Sequence, residues 1–248
     1  MSHECPDRVK ERIIPGKWSR DEIERMIASA ATIRDAGERI DFVSRRFLGT
    51  PYGESTLIGS ADVAEEFVIN LEALDCFTYI DCVEAMRLSR SFDEFRRNLR
   101  EVRYRQGSVS FTNRNHFFTD WRGSGRVEEA TRETGRERVE TVVKLLNRRA
   151  DGTPFLPGLP ETERKIDYIP AAFLDESIKN RICTGDYLGI YAETPGLDVS
   201  HVGIAIRTDT GLLFRHASSL RRKVVEQDLG AYMNGKPGLV ILRPRPRG

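Results

Sequence analysis

The sequence predicts an α+β protein, with helices first and an antiparallel sheet later. Three observations lead there. Apolar residues in the first half recur at helical spacing, as in Ile23, Met26, Ile27 and Ala30. The second half offers short strand-like runs instead: Tyr187 to Tyr191, Val199 to Arg207, Gly211 to Ser218, Lys223 to Glu226 and Leu239 to Arg243. Turn formers separate those runs, including Thr184-Gly185-Asp186 and Thr208-Asp209-Thr210-Gly211. Helical runs followed by strand runs, rather than strict alternation of the two, is the α+β pattern.

Each element has a local reason. Ser19 is placed to cap a helix opening Arg20-Asp21-Glu22, and Glu22 completes a capping box. A second helix is expected from Ala36 to Phe47, broken by Gly49-Thr50-Pro51-Tyr52-Gly53. Asp75 is an N-cap residue for a helix running to about Ser89. Ile80, Val83 and Met86 form its buried stripe, with Phe77 and Tyr79 beside it. Asp93 opens the next helix, Glu94 to Tyr104. Gln106 to Asp120 is polar and irregular. Arg126 to Arg149 reads as a charged helix, and Asp151 to Pro160 as a Pro/Gly-rich connector. No linker divides the chain, so residues 1–248 are expected to form a single domain whose first 18 residues are loosely ordered.

Composition excludes several functions. Net charge is +1, and the 39 basic residues include only seven lysines. Arginines interleave with acids, as in Arg136-Glu137-Arg138, which marks solvated ion-paired faces rather than a nucleic-acid surface. No apolar run approaches the roughly 18 residues of a membrane span. Met1 to Pro6 lacks the basic and apolar regions of a signal peptide. The four cysteines form no C-x-x-C pair and are too sparse for a disulfide scaffold.

Chemistry concentrates at Cys76. At the first position of a helix its sulfur faces unpaired N–H groups and the positive end of the helix dipole, which favour the nucleophilic thiolate. The bland alternative is a buried structural thiol, the expected state of Cys82 and Cys183. Two of the four histidines fall on the predicted Val199–Ser218 hairpin. A two-residue turn between Thr208 and Gly211 sets Gly203 opposite His216 and His201 opposite Ser218. His201 and His216 then become diagonal neighbours on one sheet face, about 5–8 Å apart, with Gly203 leaving open space between them. One histidine would take the thiol proton while the other held its ring. A third, His116, sits among aromatic and polar residues from Asn113 to Trp121, a composition suited to a groove wall or to a packed loop.

Taken together, several segments resemble a known family. They are Phe47-Leu48-Gly49-Thr50-Pro51-Tyr52, Leu74-Asp75-Cys76-Phe77-Thr78, Arg114 to Trp121, Tyr168-Ile169-Pro170, Gly185-Asp186, Gly196 to Gly203 and His216-Ala217-Ser218-Ser219. In this order they resemble the bacterial DUF1460 group of N-acetylmuramoyl-L-alanine amidase-like proteins, a branch of the NlpC/P60 papain-like cysteine hydrolases. The resemblance implies a papain-like core with the nucleophile helix packed on an antiparallel sheet, plus extra N-terminal and inserted helices. It implies cleavage of the amide between the lactyl group of N-acetylmuramic acid and L-alanine, with Cys76 as nucleophile, His201 as base and His216 as its orienter. It also implies substrate contacts from Asp75, Arg114, His116, Trp121 and Ser200, with Asp75 equally explained as a helix cap. The expected partner is peptidoglycan or a muropeptide, acted on by a monomer without metal or cofactor. The family resemblance implies a periplasmic or envelope location, whereas a native start at Met1 would imply the cytoplasm. Asp81 departs from the family, which more often shows a glutamate in that segment. Rival readings are a γ-D-Glu endopeptidase on the same residues, a zinc amidase ligated by Cys76, His201 and His216, and a muropeptide-binding module without turnover. A glycosidase built on Glu65-Glu66 is disfavoured, because adjacent carboxylates on a helix point apart.

Overall fold

Local capping sets the helical half. In the computed structural model, which describes residues 9–246, Ser19 and Glu22 form the expected capping box of α1 (Arg20–Ala31). Asp35 caps α2 (Ala36–Arg45) by accepting from the Glu38 N–H. Asp75 caps α3 (Cys76–Arg87). The next helix, α4 (Phe92–Arg103), begins earlier than the expected Asp93 start because Ser91 accepts from the Glu94 N–H. The polar stretch from Gln106 to Asp120 holds only short 3-10 turns, as its composition implied.

The sheet is larger than the strand signals indicated. It contains β3 (Val127–Glu129), β4 (Glu140–Leu146), β5 (Thr162–Pro170), β6 (Tyr187–Tyr191), β7 (Val199–Thr208), β8 (Gly211–Ser218), β9 (Lys223–Asp228) and β10 (Gly238–Pro244). The antiparallel order is β4-β5-β10-β6-β7-β8-β9, with β3 also on β10. Short helices α5 (Thr131–Gly135), α6 (Glu176–Lys179) and α7 (Leu229–Met233) fill connections between strands.

The expected helix from Arg126 to Arg149 does not form. Arg136 turns the chain at φ 51°, ending α5 after five residues. Beyond it Thr141-Val142-Val143 is β-branched and pairs with Ile166 and its neighbours on β5. The N-terminal segment also differs from expectation. Residues 1–8 lie outside the described residues, but β1 (Glu11–Ile14) pairs in parallel with β2 (Phe67–Asn70). Glu11 fixes it to α4 through Arg96 and Arg100.

Strand alternation divides the core. Val202, Ile204, Val240 and Leu242 face α1–α4, packing with Ile27, Val43, Phe47, Ile80 and Val83. Leu188, Ile190, Ala205, Phe214 and Ile241 face the other side, with Ile178, Leu229 and Met233 from α6 and α7. Each of the larger buried side chains contributes about 1.5–3 kcal/mol. Helix α3 lies against β7 and β8, and every residue from Thr78 to Arg87 is buried. Its buried charges are paired, Glu84 with Arg87 at 2.5 Å and Asp81 with Arg103 at 2.9 Å. Tyr187 also donates to Glu84, tying the helix to β6. Such pairs fix the position of α3 more than they stabilise the fold.

Candidate active site

The start of α3 is held from three sides. Asp75 Oδ1 accepts from the Thr78 N–H at 2.7 Å, and Thr78 Oγ1 accepts from the Asp75 N–H at 3.0 Å. Leu74 donates to Pro51 O, and Tyr52 donates to Arg222 O just before β9. Cys76 is thus fixed between the Gly49–Gly53 segment and the sheet. Its sulfur receives the N–H groups of Val202, of Cys76 itself and of Phe77. Two of those donors are the unpaired amides expected at a helix start. The thiolate expectation nevertheless fails. Burial, with the Asp75 carboxylate beside it, pushes the thiol up to about 12, outweighing the three N–H groups. The resting Cys76 side chain is a neutral thiol, which would need a base to act as a nucleophile.

The hairpin carries the two candidate histidines. Thr208 pairs with Gly211 across a two-residue turn, in the register read from the sequence. The ladder runs as far as Ile204 opposite Arg215, while β8 continues to Ser218 on β9. The Val202 N–H is free of β8 in this region and meets the Cys76 sulfur. On the same stretch, His201 Nε2 lies 2.7 Å from His216 Nδ1, with the rings perpendicular and 4.8 Å apart. The expected open space beside Gly203 is filled by the Phe214 ring, 2.5 Å from where a Cβ would stand. Phe214 also stacks on His216 at 4.7 Å. Glycine is therefore required there to admit Phe214.

The hydrogen bonds define the proton positions. Gln227 Oε1 can only accept, so at 2.9 Å it receives a hydrogen bond from a protonated His216 Nε2. Neutral His216 then accepts at Nδ1, and His201 donates from Nε2. His201 is left with a bare lone pair at Nδ1. Burial, then the neighbouring His216 and Lys236, depress its basicity to about 3, so it is neutral near pH 7. Burial lowers His216 likewise, against the Gln227 hydrogen bond. Tyr232 packs against both rings, 5.0 Å from His216 and 6.2 Å from His201. Beside them lies a pocket of about 760 Å³ whose walls include Ser200, His201, His216, Arg221, Tyr232 and Lys236.

The other expected contacts divide. Ser200 is exposed on that pocket. Asp75 and Arg114 share a second pocket of about 390 Å³ with Ser55 and Phe111. Arg114 is bound there by Glu65, at 3.0 and 2.5 Å. Glu66 pairs with Lys10 at 2.6 Å, so both glutamates of the glycosidase alternative are committed to ion pairs. His116 Nε2 lies 2.7 Å from the Phe111 carbonyl, closing its own loop. Trp121 is 2 % exposed and packs on Tyr187 and Phe77, so it is a core residue rather than a substrate contact. Its neighbour Thr119 is also structural. The Thr119 N–H and hydroxyl both donate to buried Asp198 at 2.8 Å, anchoring the chain that enters β7 and His201. Cys82 is buried as expected, whereas Cys183 is exposed. Among the described residues no three metal-ligating side chains converge. Sequence reasoning missed Gln227, Tyr232, Arg221 and Lys236. Only strand pairing gives a signal for Gln227, which sits on β9 opposite Phe214, next to His216.

This arrangement can deprotonate a thiol during attack on a carbonyl and return the proton to a leaving group. Comparisons with known proteins bear on the family and the fold. No curated protein matches the sequence. A crystal structure from Legionella pneumophila str. Philadelphia 1, of family DUF1460, superposes with a TM-score of 0.78 at 24% identity, covering 92% of this chain and 94% of that one. An N-acetylmuramoyl-L-alanine amidase from Bacteroides uniformis superposes with a TM-score of 0.71 at 29% identity, covering 85% and 99%. The family model for AmiA-like, N-acetylmuramoyl-L-alanine amidase-like proteins matches residues 42–239, a span that begins on α2 and ends on β10. The chain belongs to the N-acetylmuramoyl-L-alanine amidase-like family.

Proposed function

We propose that this protein is a cysteine-dependent N-acetylmuramoyl-L-alanine amidase with a papain-like NlpC/P60 core. The observation that carries the reading is the directed chain from His201 through His216 to Gln227, which bares His201 Nδ1 on the strand that also meets the Cys76 sulfur. As sulfur attacks the lactyl carbonyl, His201 Nδ1 takes the thiol proton. The N–H groups of Cys76 and Phe77 stabilise the oxyanion. Collapse breaks the C–N bond, and protonated His201 passes its proton to the amine of L-alanine. Water, deprotonated by His201, then hydrolyses the thioester and frees both N-acetylmuramic acid and the thiol. Asp75 serves this chemistry chiefly as the cap that orders the α3 amides. On this reading the protein works in the periplasm or cell envelope.

The test is digestion of defined muropeptides by the parent and Cys76→Ala proteins, with products weighed by mass spectrometry. Free muramic sugar and an intact stem peptide are expected from the parent only. A sugar–L-Ala–D-Glu product would establish a stem-peptide endopeptidase instead. Turnover by Cys76→Ala would remove the cysteine mechanism.

A further inference from the structure

The pocket beside the histidines has an unbalanced charge. Its walls include two cations, Arg221 and Lys236, and no aspartate or glutamate. Both cations are exposed. Neither has an ion-pair partner among the described residues. Arg222, next in sequence, is by contrast paired with Glu54 at 3.0 Å and lies over the Tyr52 ring. Arg221 is tied only by its backbone, whose N–H donates to Ser218 Oγ at 3.1 Å. Lys236 Nζ stands 5.5 Å from the centre of the Tyr232 ring, the ring packed against both histidines. Two uncompensated cations on one concave wall attract an anion.

The proposed mechanism indicates which half of the substrate lies there. His201 must hand its proton to the leaving amine, so the leaving half passes on the His201 side of the sulfur. His201 lines the same pocket as Arg221 and Lys236, whereas Asp75 and Arg114 line a different pocket. In the amidase reading the leaving half is the stem peptide, L-alanine followed by D-glutamate. The free α-carboxylate of that glutamate lies about two residues, or roughly 7 Å, beyond the scissile nitrogen. The acyl half is a sugar whose lactyl carboxyl is tied up in the amide.

We propose that Arg221 and Lys236 form a carboxylate-binding subsite for the leaving stem peptide, a proposal that rests on the amidase reading of the same site. Arginine gives the fork that a carboxylate fits, and lysine adds a mobile point charge.

The test uses Cys76→Ala protein and two probes, N-acetylmuramoyl-L-alanyl-D-glutamate and its neutral diamide, with binding measured by calorimetry. The acid is expected to bind about tenfold or more tightly than the diamide, as charge-assisted hydrogen bonds require. In the same protein carrying Arg221→Gln and Lys236→Gln the preference should fall to about twofold or less, and it should weaken with salt in the unaltered pair. Equal binding of acid and diamide, no detectable binding of either, or a preference that survives both substitutions overturns the subsite. Digestion of the acid by parent protein reports separately on the reaction. If no free muramic sugar appears, the amidase reading fails while the binding comparison still decides the subsite.

Discussion

Gln227 is the most discriminating residue for testing the proposed mechanism, because its hydrogen bond is to His216 rather than to Cys76 or His201. It accepts the Nε2 proton of His216 at 2.9 Å, and His216 is 2 % exposed, so water is a poor substitute. Gln227→Leu removes the acceptor and leaves that N–H unpaired when His216 keeps its present tautomer. The penalty for an unsatisfied buried donor is about 1–3 kcal/mol. Moving the proton to His216 Nδ1 avoids the penalty. It then makes His216 the donor to His201 Nε2, which forces the His201 proton onto Nδ1, where it blocks the base. At about 1.4 kcal/mol per decade, the competent tautomer should drop by about fivefold to a hundredfold. The loss should fall on kcat, with KM little changed, because the substrate pocket is intact. Gln227→Glu keeps an acceptor at the same reach and should restore most of kcat. Steady-state kinetics on a muropeptide would be paired with imidazole nitrogen NMR to read the tautomers directly. Full kcat in Gln227→Leu, or equal losses in the Leu and Glu variants, would refute the argument.

Three further outcomes follow from the same geometry. The Cys76 thiol, raised to about 12, should be alkylated at a rate that keeps climbing beyond about pH 9, and a plateau below about pH 7 would mean that a thiolate is preformed. His201 has a basicity depressed from 6.5 to about 3, so the unfolded chain takes up its proton first and this group's stabilisation is lost as pH falls below about 6.5. His201→Gln should therefore lose less stability than the parent between about pH 7 and 5 in denaturant titrations, and parallel losses would count against it. Arg103→Ala strands the buried Asp81 carboxylate, which burial already raises to about 6. It should cost about 3–5 kcal/mol by chemical denaturation, and a cost under about 1 kcal/mol would show that the pair does not anchor α3.

Much of the site was legible because its signals are local. A cap residue before Cys76 and a turn after Thr208 depend on a few neighbouring residues, and both formed as read. Alternation then forced His201 and His216 onto one face. The failures have the opposite character. Residues 126–149 looked helical from their charge, yet Thr141-Val142-Val143 found a partner in β5, a choice made by long-range pairing. Trp121 looked like a groove aromatic, but its neighbours Tyr187 and Phe77 come from distant segments. Gly203 promised space that Phe214 occupies.

The sequence by itself determined the α+β order, the helix-start position of Cys76 and the pairing of its two histidines, since caps, turns and two-residue periodicity act over short range. Only the tertiary structure decided the thiol's protonation, because burial outweighs the amides that helix position alone supplies. It alone added Gln227 to the relay, through the registry of β9 on β8. It alone brought Arg221 and Lys236 to the pocket wall that His201 also lines. Desolvation and strand registry are properties of the packed chain, and no window of sequence contains them.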